Sequence, residues 1–221
     1  MRHLLVLRPE PGASATVECA RHLGLDTSAI PLFNVEPVAW KAPDPCRFDA
    51  LLLTSANAVR HGGGQLLGLH GLPAYAVGPA TAEAAASAGF EIAAVGYGGL
   101  DELLNSIAPE LKLLHLCGQN RRSSVNASQE IVPVVVYRST PIDLPDLSAA
   151  AGSVAMIHSP RAGRRFAELV HDRGSIAIAA ISPAAAETVG TGWGAVEFAP
   201  LPNDEALLAL AASLCDKPSA K

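Results

Sequence analysis

The sequence predicts an α/β protein of two similar domains with mostly parallel sheets, in a flavodoxin- or Rossmann-like three-layer arrangement. Three observations lead to this prediction. Short strand-like segments alternate with Ala- and Leu-rich segments of helical spacing, which is typical of α/β folds. Several strand-like segments are continuously apolar, as expected of parallel strands covered on both faces. The second half of the chain also repeats the pattern of the first.

The elements follow one another in a regular order. Strands are predicted where short apolar runs, mostly aliphatic, occur between turn-forming residues. They cover residues 4–7, 51–53, 74–77, 92–95, 113–116, 132–137, 154–157, 176–181 and 196–198. Helices are predicted at residues 15–23, 81–88 and 205–215, because small and apolar residues recur there at helical spacing.

An internal repeat supports two related domains. Shifting the chain by 104 positions aligns three strand-to-helix junctions of the first half with three of the second. Coincidence in an Ala-rich chain is the alternative, but one offset serves all three junctions, which favours a duplication. The identical pairs are Ser55/Ser159, Ala58/Ala162, Arg60/Arg164, Ala76/Ala180, Pro79/Pro183, Ala80/Ala184, Ala82/Ala186, Glu83/Glu187, Leu103/Leu207 and Leu104/Leu208.

The repeat also predicts the domain boundaries. The repeated unit begins near Asp49 and again near Ser153, so the first strand and helix need a sheet from elsewhere. We predict one discontinuous domain, residues 1–33 with 141–221, and a second domain, residues 38–133, inserted into it. Residues 34–37 and 134–140 must then cross between the domains. They are predicted to pair as a two-stranded β connector that acts as a hinge.

The composition excludes several classes of protein. Hydrophobic residues make up 49% and charged residues 17% of the chain, which excludes a disordered protein. A net charge of -5 and 5% aromatic residues argue against a nucleic-acid partner. No apolar run predicts a membrane span or a signal peptide, so a cytoplasmic protein is expected. The four cysteines and the scattered histidines lack metal-ligand spacing, so no metal is expected.

Four strand-to-helix junctions carry small or polar residues, and they begin at Thr54, Gly78, His158 and Ser182. Ligands of open α/β sheets bind outside the carboxyl ends of the strands, and helix N-termini hold carboxylates. The junctions therefore predict a cleft for a polyanion, with ordinary helix caps as the alternative.

Arginine side chains add further candidates for this cleft, whereas two histidines are set aside as structural. Arg8, Arg138 and Arg161 are expected to bind carboxylates, with Arg164 a weaker candidate and a solvated surface charge as the alternative for each. His115 and His158, on or next to apolar strands, are expected to be partly buried and hydrogen-bonded.

Six segments in this order resemble the uroporphyrinogen-III synthase family. Each segment is short and degenerate, but together they cover nearly the whole chain, and their order and spacing are specific. They are FDALLLTSANAV at 48–59, AVGPATAE at 76–83, LHLCG at 114–118, VVVYR at 134–138, IHSPRAGRRFAEL at 157–169 and AISPAAAE at 180–187.

The resemblance implies a cofactor-free lyase that acts on hydroxymethylbilane, a linear tetrapyrrole with eight carboxylates. Loss of its terminal hydroxyl gives an azafulvene cation, which the substituted end of ring D attacks to form a spiro-pyrrolenine. Fragmentation and reclosure then give uroporphyrinogen III, whereas simple closure gives the type I isomer. A monomer is expected, in transient contact at most with the upstream enzyme that makes the bilane.

The resemblance also implies roles for individual residues. The family's candidate catalytic tyrosine corresponds to Tyr137, whose phenol could donate a proton to the departing hydroxyl; a structural aromatic residue is the alternative. The expected substrate-binding residues, from the junctions and the resemblance together, are Arg8, Thr54, Ser55, Ala56, Gly78, Thr81, Cys117, Gly118, Arg138, Ser159, Arg161, Ser182 and Ala185.

The chain departs from the family pattern in two places. Ala184 and Ala185 stand where many members carry a threonine, so only backbone donors are expected there. The segment between Cys117 and Val132 is short, so a helix usually found there is expected to be truncated. Two non-enzymatic functions stay open at this point: a hinged binding module for an anionic small molecule, and a catalytically lapsed scaffold.

Overall fold

The computed structural model describes residues 1–120 and 127–217, in which eleven strands and seven helices are found. Two short 3-10 segments, Pro45–Arg47 and Gly63–Leu69, lie in the first half. The strands are β1 (Leu4–Val6), β2 (Thr27–Ala29), β3 (Phe33–Pro37), β4 (Ala50–Leu53), β5 (Ala74–Val77), β6 (Ile92–Gly96), β7 (Lys112–Gly118), β8 (Glu130–Pro141), β9 (Val154–Ile157), β10 (Ala177–Ala180) and β11 (Ala195–Phe198). The helices are α1 (Gly12–His22), α2 (Ala56–Arg60), α3 (Pro79–Ser87), α4 (Leu100–Asn105), α5 (Pro160–Leu169), α6 (Pro183–Glu187) and α7 (Asp204–Asp216).

The chain divides into two compact units. Unit 1 comprises Met1–Asn34 and Pro141–Lys221, and unit 2 comprises Val35–Thr140. The chain leaves unit 1 within β3 and returns at the end of β8. These two strands are neighbours at one edge of a six-stranded sheet, so the strands that connect the units also belong to that sheet.

The two units share one strand order. In unit 1 the order is β2-β1-β9-β10-β11, and all pairings are parallel. Numbered along the unit, this is the flavodoxin-like order 2-1-3-4-5. Unit 2 has the parallel strands β8-β7-β4-β5-β6, which give the same order when β7 and β8 are counted first. The predicted class of two similar, mostly parallel α/β domains is therefore confirmed.

Each sheet is covered on both faces, because alternate residues of a strand point in opposite directions. In unit 1, Leu4 and Met156 pack on the face that carries α1 and α7, whereas Leu5 and Ile157 pack on the face that carries α5 and α6. Unit 2 has a matching pair of buried clusters. Of the helices described, none has the length and apolarity needed to cross a membrane.

Several element boundaries differ from the sequence prediction. Strand β2 was not predicted, because it contains no continuous apolar run, and it forms through its parallel pairing with β1. Strand β3 begins one residue before the predicted connector strand at residues 34–37. The helix α3 begins two residues early, at Pro79, because proline is tolerated in a first turn and Gly78, at φ 82°, turns the chain before it. The truncated helix expected between β7 and β8 falls largely on residues 121–126, outside the described residues.

Candidate active site

The carboxyl edge of each sheet has a point where the strand order reverses. It lies between β1 and β9 in unit 1 and between β7 and β4 in unit 2. Open α/β sheets bind their ligands at such points, since the loops on either side diverge there. Most of the predicted site residues lie at these two edges, which we describe separately.

At the edge of unit 2, Thr54 directly follows β4. Its hydroxyl is 3.0 Å from Nε2 of His115, a buried residue of β7. The expectation that His115 is hydrogen-bonded is therefore confirmed. Ser55 caps α2, and its hydroxyl accepts the N–H of Asn57 at 3.2 Å. Ala56 is buried in the first turn of the same helix.

The ring of Tyr137 lies against the end of β7. Gly118 is the last residue of this strand and pairs with Tyr137 in β8. A Cβ on Gly118 would lie 2.6 Å from Cζ of Tyr137 and 2.9 Å from its hydroxyl oxygen, so only glycine leaves room for the ring in this position. The imidazole of His61 is 6.2 Å away between ring centroids. Burial, and to a smaller degree the charge of Arg60, lower the pKa of His61, which favours its neutral form.

Cys117 and the residues of the second junction of unit 2 are mostly buried or already bonded within the protein. The thiol of Cys117 is buried and donates to the carbonyl of Val134 at 3.5 Å. Gly78 is the residue before α3 and supplies no side-chain cap. Thr81 is buried in the first turn of α3, and its N–H donates to the carbonyl of Gly78 at 3.2 Å.

At the edge of unit 1, two serines cap helices. Ser159 caps α5 and accepts the N–H of Ala162 at 3.2 Å. Ser182 caps α6 and accepts the N–H of Ala185 at 3.3 Å. Ala185 is fully buried and its N–H is already bonded, whereas Ala184 is exposed.

His158, directly after β9, differs from expectation. Its side chain is 8% exposed, yet neither ring nitrogen makes a hydrogen bond of normal geometry with any of the described residues. The expectation of a satisfied histidine is wrong here. Burial and the charge of Arg8 lower the pKa of His158 to about 4, against opposing contributions from Asp204 and the backbone of Met156, so the ring is neutral.

The arginines have different environments. Arg8 forms an ion pair with Asp204, at the start of α7. The guanidinium of Arg161 stacks on the ring of Phe33, 4.3 Å from its centroid, and burial with the nearby charge of Arg164 lowers the pKa of Arg161.

Two of the predicted arginines are exposed at the surface. Nε of Arg138 lies 2.7 Å from the carboxylate of Glu36, in the neighbouring strand β3. Arg164 is exposed on α5.

The structure thus gathers Thr54, Ser55, Gly118 and Tyr137 at one edge of unit 2. In unit 1 it places Arg8 beside Asp204 and His158, two residues that the sequence did not predict as site residues. The repeat contained a signal for His158, because this residue aligns with Thr54 at the offset of 104.

Across residues 1–120 and 127–217, no group of three or more His, Cys, Asp or Glu side chains could hold a metal ion.

Comparison with known proteins gives both a fold and a family. A search of curated proteins found no match. A uroporphyrinogen-III synthetase structure from Helicobacter pylori is similar at 22% identity and a TM-score of 0.69, covering 97% of this chain and 100% of that one. A mutant uroporphyrinogen III synthase structure from Thermus thermophilus is similar at 16% identity and a TM-score of 0.55, covering 98% and 100%. At these identities the two structures support the fold.

The family itself is shown by sequence. The family model described as uroporphyrinogen-III synthase HemD matches residues 14–209, which include both units and all of the junctions described above. The chain therefore belongs to the uroporphyrinogen-III synthase family, a family of cyclising lyases in tetrapyrrole biosynthesis.

Proposed function

We propose that this chain converts hydroxymethylbilane to uroporphyrinogen III, with loss of water and inversion of ring D through a spiro intermediate. The observation that carries this proposal is the family match over residues 14–209. The arrangement of donors at the carboxyl edges agrees with it, since a substrate rich in carboxylates requires hydrogen-bond donors and positive charge.

Tyr137 is the proposed proton donor to the leaving hydroxyl. Its phenol lies at the carboxyl end of β7, held against the backbone of Gly118. Within residues 1–120 and 127–217 the hydroxyl has no protein hydrogen-bond partner, which leaves its proton available to a ligand. A positioned acid of this kind typically accelerates a proton-transfer step by about 10²–10⁴-fold.

Substrate carboxylates are the proposed ligands of the remaining site residues. The first turn of a helix has backbone N–H groups without partners inside the helix, and these favour an anion. Ser159 and the start of α5 supply such groups in unit 1, and Arg161 at that helix start adds a charge. In unit 2, Thr54 and Ser55 occupy the matching position.

The proposed mechanism assigns most of the catalysis to positioning. Once the hydroxyl has left, the azafulvene cation reacts without further activation, and the product depends on which ring position reaches it first. Fixing the substrate conformation through its carboxylates selects the substituted position of ring D. Orientation of this kind can contribute about 7–11 kcal/mol to a barrier, so few catalytic side chains are needed.

We also propose that residues 1–33 with 141–221 and residues 38–133 act as the two domains, connected through residues 34–37 and 134–140. The division of the chain into units 1–34 with 141–221 and 35–140 supports these boundaries.

The protein is proposed to act as a cytoplasmic monomer that meets the upstream bilane-forming enzyme only transiently. Four free cysteines, two of them exposed, support a reducing compartment.

The test is turnover of freshly prepared hydroxymethylbilane by the purified protein. The type I and type III isomers are separated chromatographically after oxidation to the porphyrins. We expect the type III isomer to dominate over the spontaneous type I product. A type I product at the rate of the enzyme-free reaction would leave the chain a binding module or scaffold and would overturn the proposal.

A further inference from the structure

At the two carboxyl edges, as far as residues 1–120 and 127–217 describe them, His158 is the buried side chain whose nitrogens lack a hydrogen-bond partner. Its side chain is 8% exposed, and neither nitrogen makes a hydrogen bond of normal geometry with any described residue, although the nearby backbone of Met156 opposes the lowering of its pKa. Buried polar groups are nearly always paired, because losing water without a replacement bond is costly. An unpaired imidazole at the strand-order reversal point therefore indicates a missing partner.

Comparison with unit 2 explains why the protein itself does not supply that partner. Thr54 occupies the position equivalent to His158 in the repeat, and it bonds to His115 in the adjacent strand. In the register of unit 2, His115 lies opposite Leu52; in unit 1, Val6 lies opposite Met156, the equivalent of Leu52. Val6 therefore stands where His115 would be, and it cannot accept or donate a side-chain hydrogen bond.

The group nearest to His158 is the carboxylate of Asp204. One oxygen of this carboxylate binds Arg8, and the other lies 3.9 Å from Nε2 of His158, beyond hydrogen-bond distance. Asp204 therefore sits between a guanidinium and an imidazole but bonds to only one of them. Its attachment at the start of α7 fixes how closely it approaches the ring.

Arg8 is held in place independently of Asp204. Its guanidinium lies against Gly12, where an added Cβ would come 2.6 Å from Nε and 2.8 Å from Cζ. The hydroxyl of Thr16, one turn further along α1, is 3.5 Å from Nη1. Loss of the contact with Asp204 would therefore leave Arg8 in a similar position.

Exposure increases from the imidazole to the carboxylate. The side chain of His158 is 8% exposed, that of Arg8 is 28% exposed, and that of Asp204 is 56% exposed. Asp204 is thus the outermost member and can turn towards solvent, where the N-terminus of α7 still favours its charge. An incoming anion would meet Asp204 first and His158 last.

We propose that Arg8 and His158 form a carboxylate subsite that Asp204 occupies in the free protein, and that a carboxylate side chain of the substrate displaces Asp204 and bonds to both. The proposal rests on the proposed function for the identity of the substrate. The carboxylate of Asp204 shows how a ligand would bind, because one of its oxygens contacts Arg8 and the other lies 3.9 Å from Nε2 of His158. A ligand carboxylate, free of the constraint from α7, closes the remaining gap to Nε2.

The kinetic test uses variants of all three residues with hydroxymethylbilane as substrate. Asp204→Asn removes the internal competitor and is expected to lower KM by roughly two- to fivefold, the range set by an exposed ion pair. Arg8→Gln removes the main ligand and is expected to raise KM by roughly ten- to a hundredfold, the range for a hydrogen bond to a charged group. In the Arg8→Gln background, Asp204→Asn is expected to lose its effect on KM.

Glu205→Gln is the matched control. Glu205 carries the same charge in the same turn of α7, but Arg8 forms its ion pair with Asp204. Equal reductions of KM in the two variants would show a general charge effect on a polyanionic substrate and would overturn the proposal. An unchanged or raised KM in Asp204→Asn would overturn it as well.

A second measurement separates this proposal from the overall function. The imidazole ¹⁵N signals of His158 are followed by NMR while a single pyrrole carrying one propionate side chain is added to the Asp204→Asn protein, and the methyl ester of that pyrrole is added in parallel. We expect the acid to shift the signals and the ester to leave them unchanged. This result would support the subsite even if no bilane turnover were found. Equal shifts from both compounds, or no shift at the solubility limit of the acid, would overturn it.

Discussion

The two carboxyl edges have the same strand order and different polar groups. In unit 2, Thr54 at the end of β4 bonds to His115, which closes a short hydrogen-bonded pair inside the sheet. In unit 1, the equivalent positions are His158 and Val6, and no such pair forms. The two units therefore share a strand order while the polar groups at the reversal point differ.

The difference extends to the charges. The edge of unit 2 carries the phenol of Tyr137 beside a neutral imidazole, whereas the edge of unit 1 carries an arginine paired with a carboxylate. A neutral acid is suited to proton transfer, and a charged cluster is suited to anion binding. Under the proposed function, we infer that the edge of unit 2 serves proton transfer and the edge of unit 1 serves anion binding. The following predictions test that division.

The largest expected effect is on catalysis in unit 2. Tyr137→Phe removes the proposed proton donor while keeping the ring, so kcat is expected to fall by about 10²-fold or more, with little change in KM. The measurement is bilane turnover with separation of the isomers. Tyr97→Phe is the matched control, because Tyr97 is 77% exposed, and it is expected to keep full activity. Full activity in Tyr137→Phe would remove the phenol from the mechanism.

The second effect is on stability and comes from unit 1. The pKa of His158 is about 4 in the folded chain and 6.5 as its ordinary value. Between these values the unfolded chain binds more protons, so stability falls as the pH is lowered from 6.5 to 4, by about 3 kcal/mol in total. Above pH 6.5 this loss does not occur. The measurement is urea unfolding at pH 7, 5.5 and 4.5.

The control for this prediction is His158→Thr, which gives unit 1 the residue found at the same position in unit 2. This variant cannot take up the proton, so its stability is expected to fall less steeply over the same range of pH. An identical pH dependence in the two proteins would show that the acid sensitivity arises from other groups. The loss of stability in acid could then no longer be assigned to His158 at the carboxyl edge of unit 1.

Much of this fold could be predicted from the sequence, for identifiable reasons. The strands β4, β9 and β10 are continuous apolar runs, a pattern that parallel strands require. The repeat at 104 positions indicated two similar units, because junction residues such as Ser55 and Ser159 have the same capping role in both. Strand β2, with the sequence TSA, has no such pattern and depends on its neighbour β1.

The site could be predicted only in part. Tyr137 and the capping serines were accessible through motifs and the family resemblance. The arrangement of Arg8, Asp204 and His158 was not, because its members are separated by about 150 and 46 positions in sequence and meet only through the order of the strands and helices. Sequence spacing predicts a cluster when the residues share one element, whereas here Arg8 follows β1, His158 follows β9 and Asp204 begins α7.

A smaller effect is expected where Tyr137 meets β7. Gly118→Ala would place a Cβ 2.6 Å from the ring, so the ring must move away from the strand end. Because the clash is with a side chain, we expect little loss of stability but a fall in kcat of up to about 10²-fold, the size expected when a reacting group is misplaced by about 1 Å. The measurement is bilane turnover together with urea unfolding.

Gly64→Ala serves as the control for this change, since an added Cβ there would contact nothing within 4 Å and the turn lies in the same unit. It is expected to retain wild-type kcat. If Gly118→Ala also retained it, the position of the ring against β7 would be irrelevant to the reaction. A large loss of folding stability in Gly118→Ala would instead place its role in the sheet itself.

The smallest expected effects concern the caps that the two units share. Ser55→Ala and Ser159→Ala each remove one hydrogen bond to a first-turn N–H, that of Asn57 and that of Ala162, and each is expected to cost about 1 kcal/mol of unfolding free energy. Ser87→Ala, at the last residue of α3, is the control and should cost a few tenths at most. Similar costs in both units would show that the caps belong to the duplicated scaffold. A markedly larger cost in one unit would mean that the divergence seen at Thr54 and His158 extends to the helix starts that follow them.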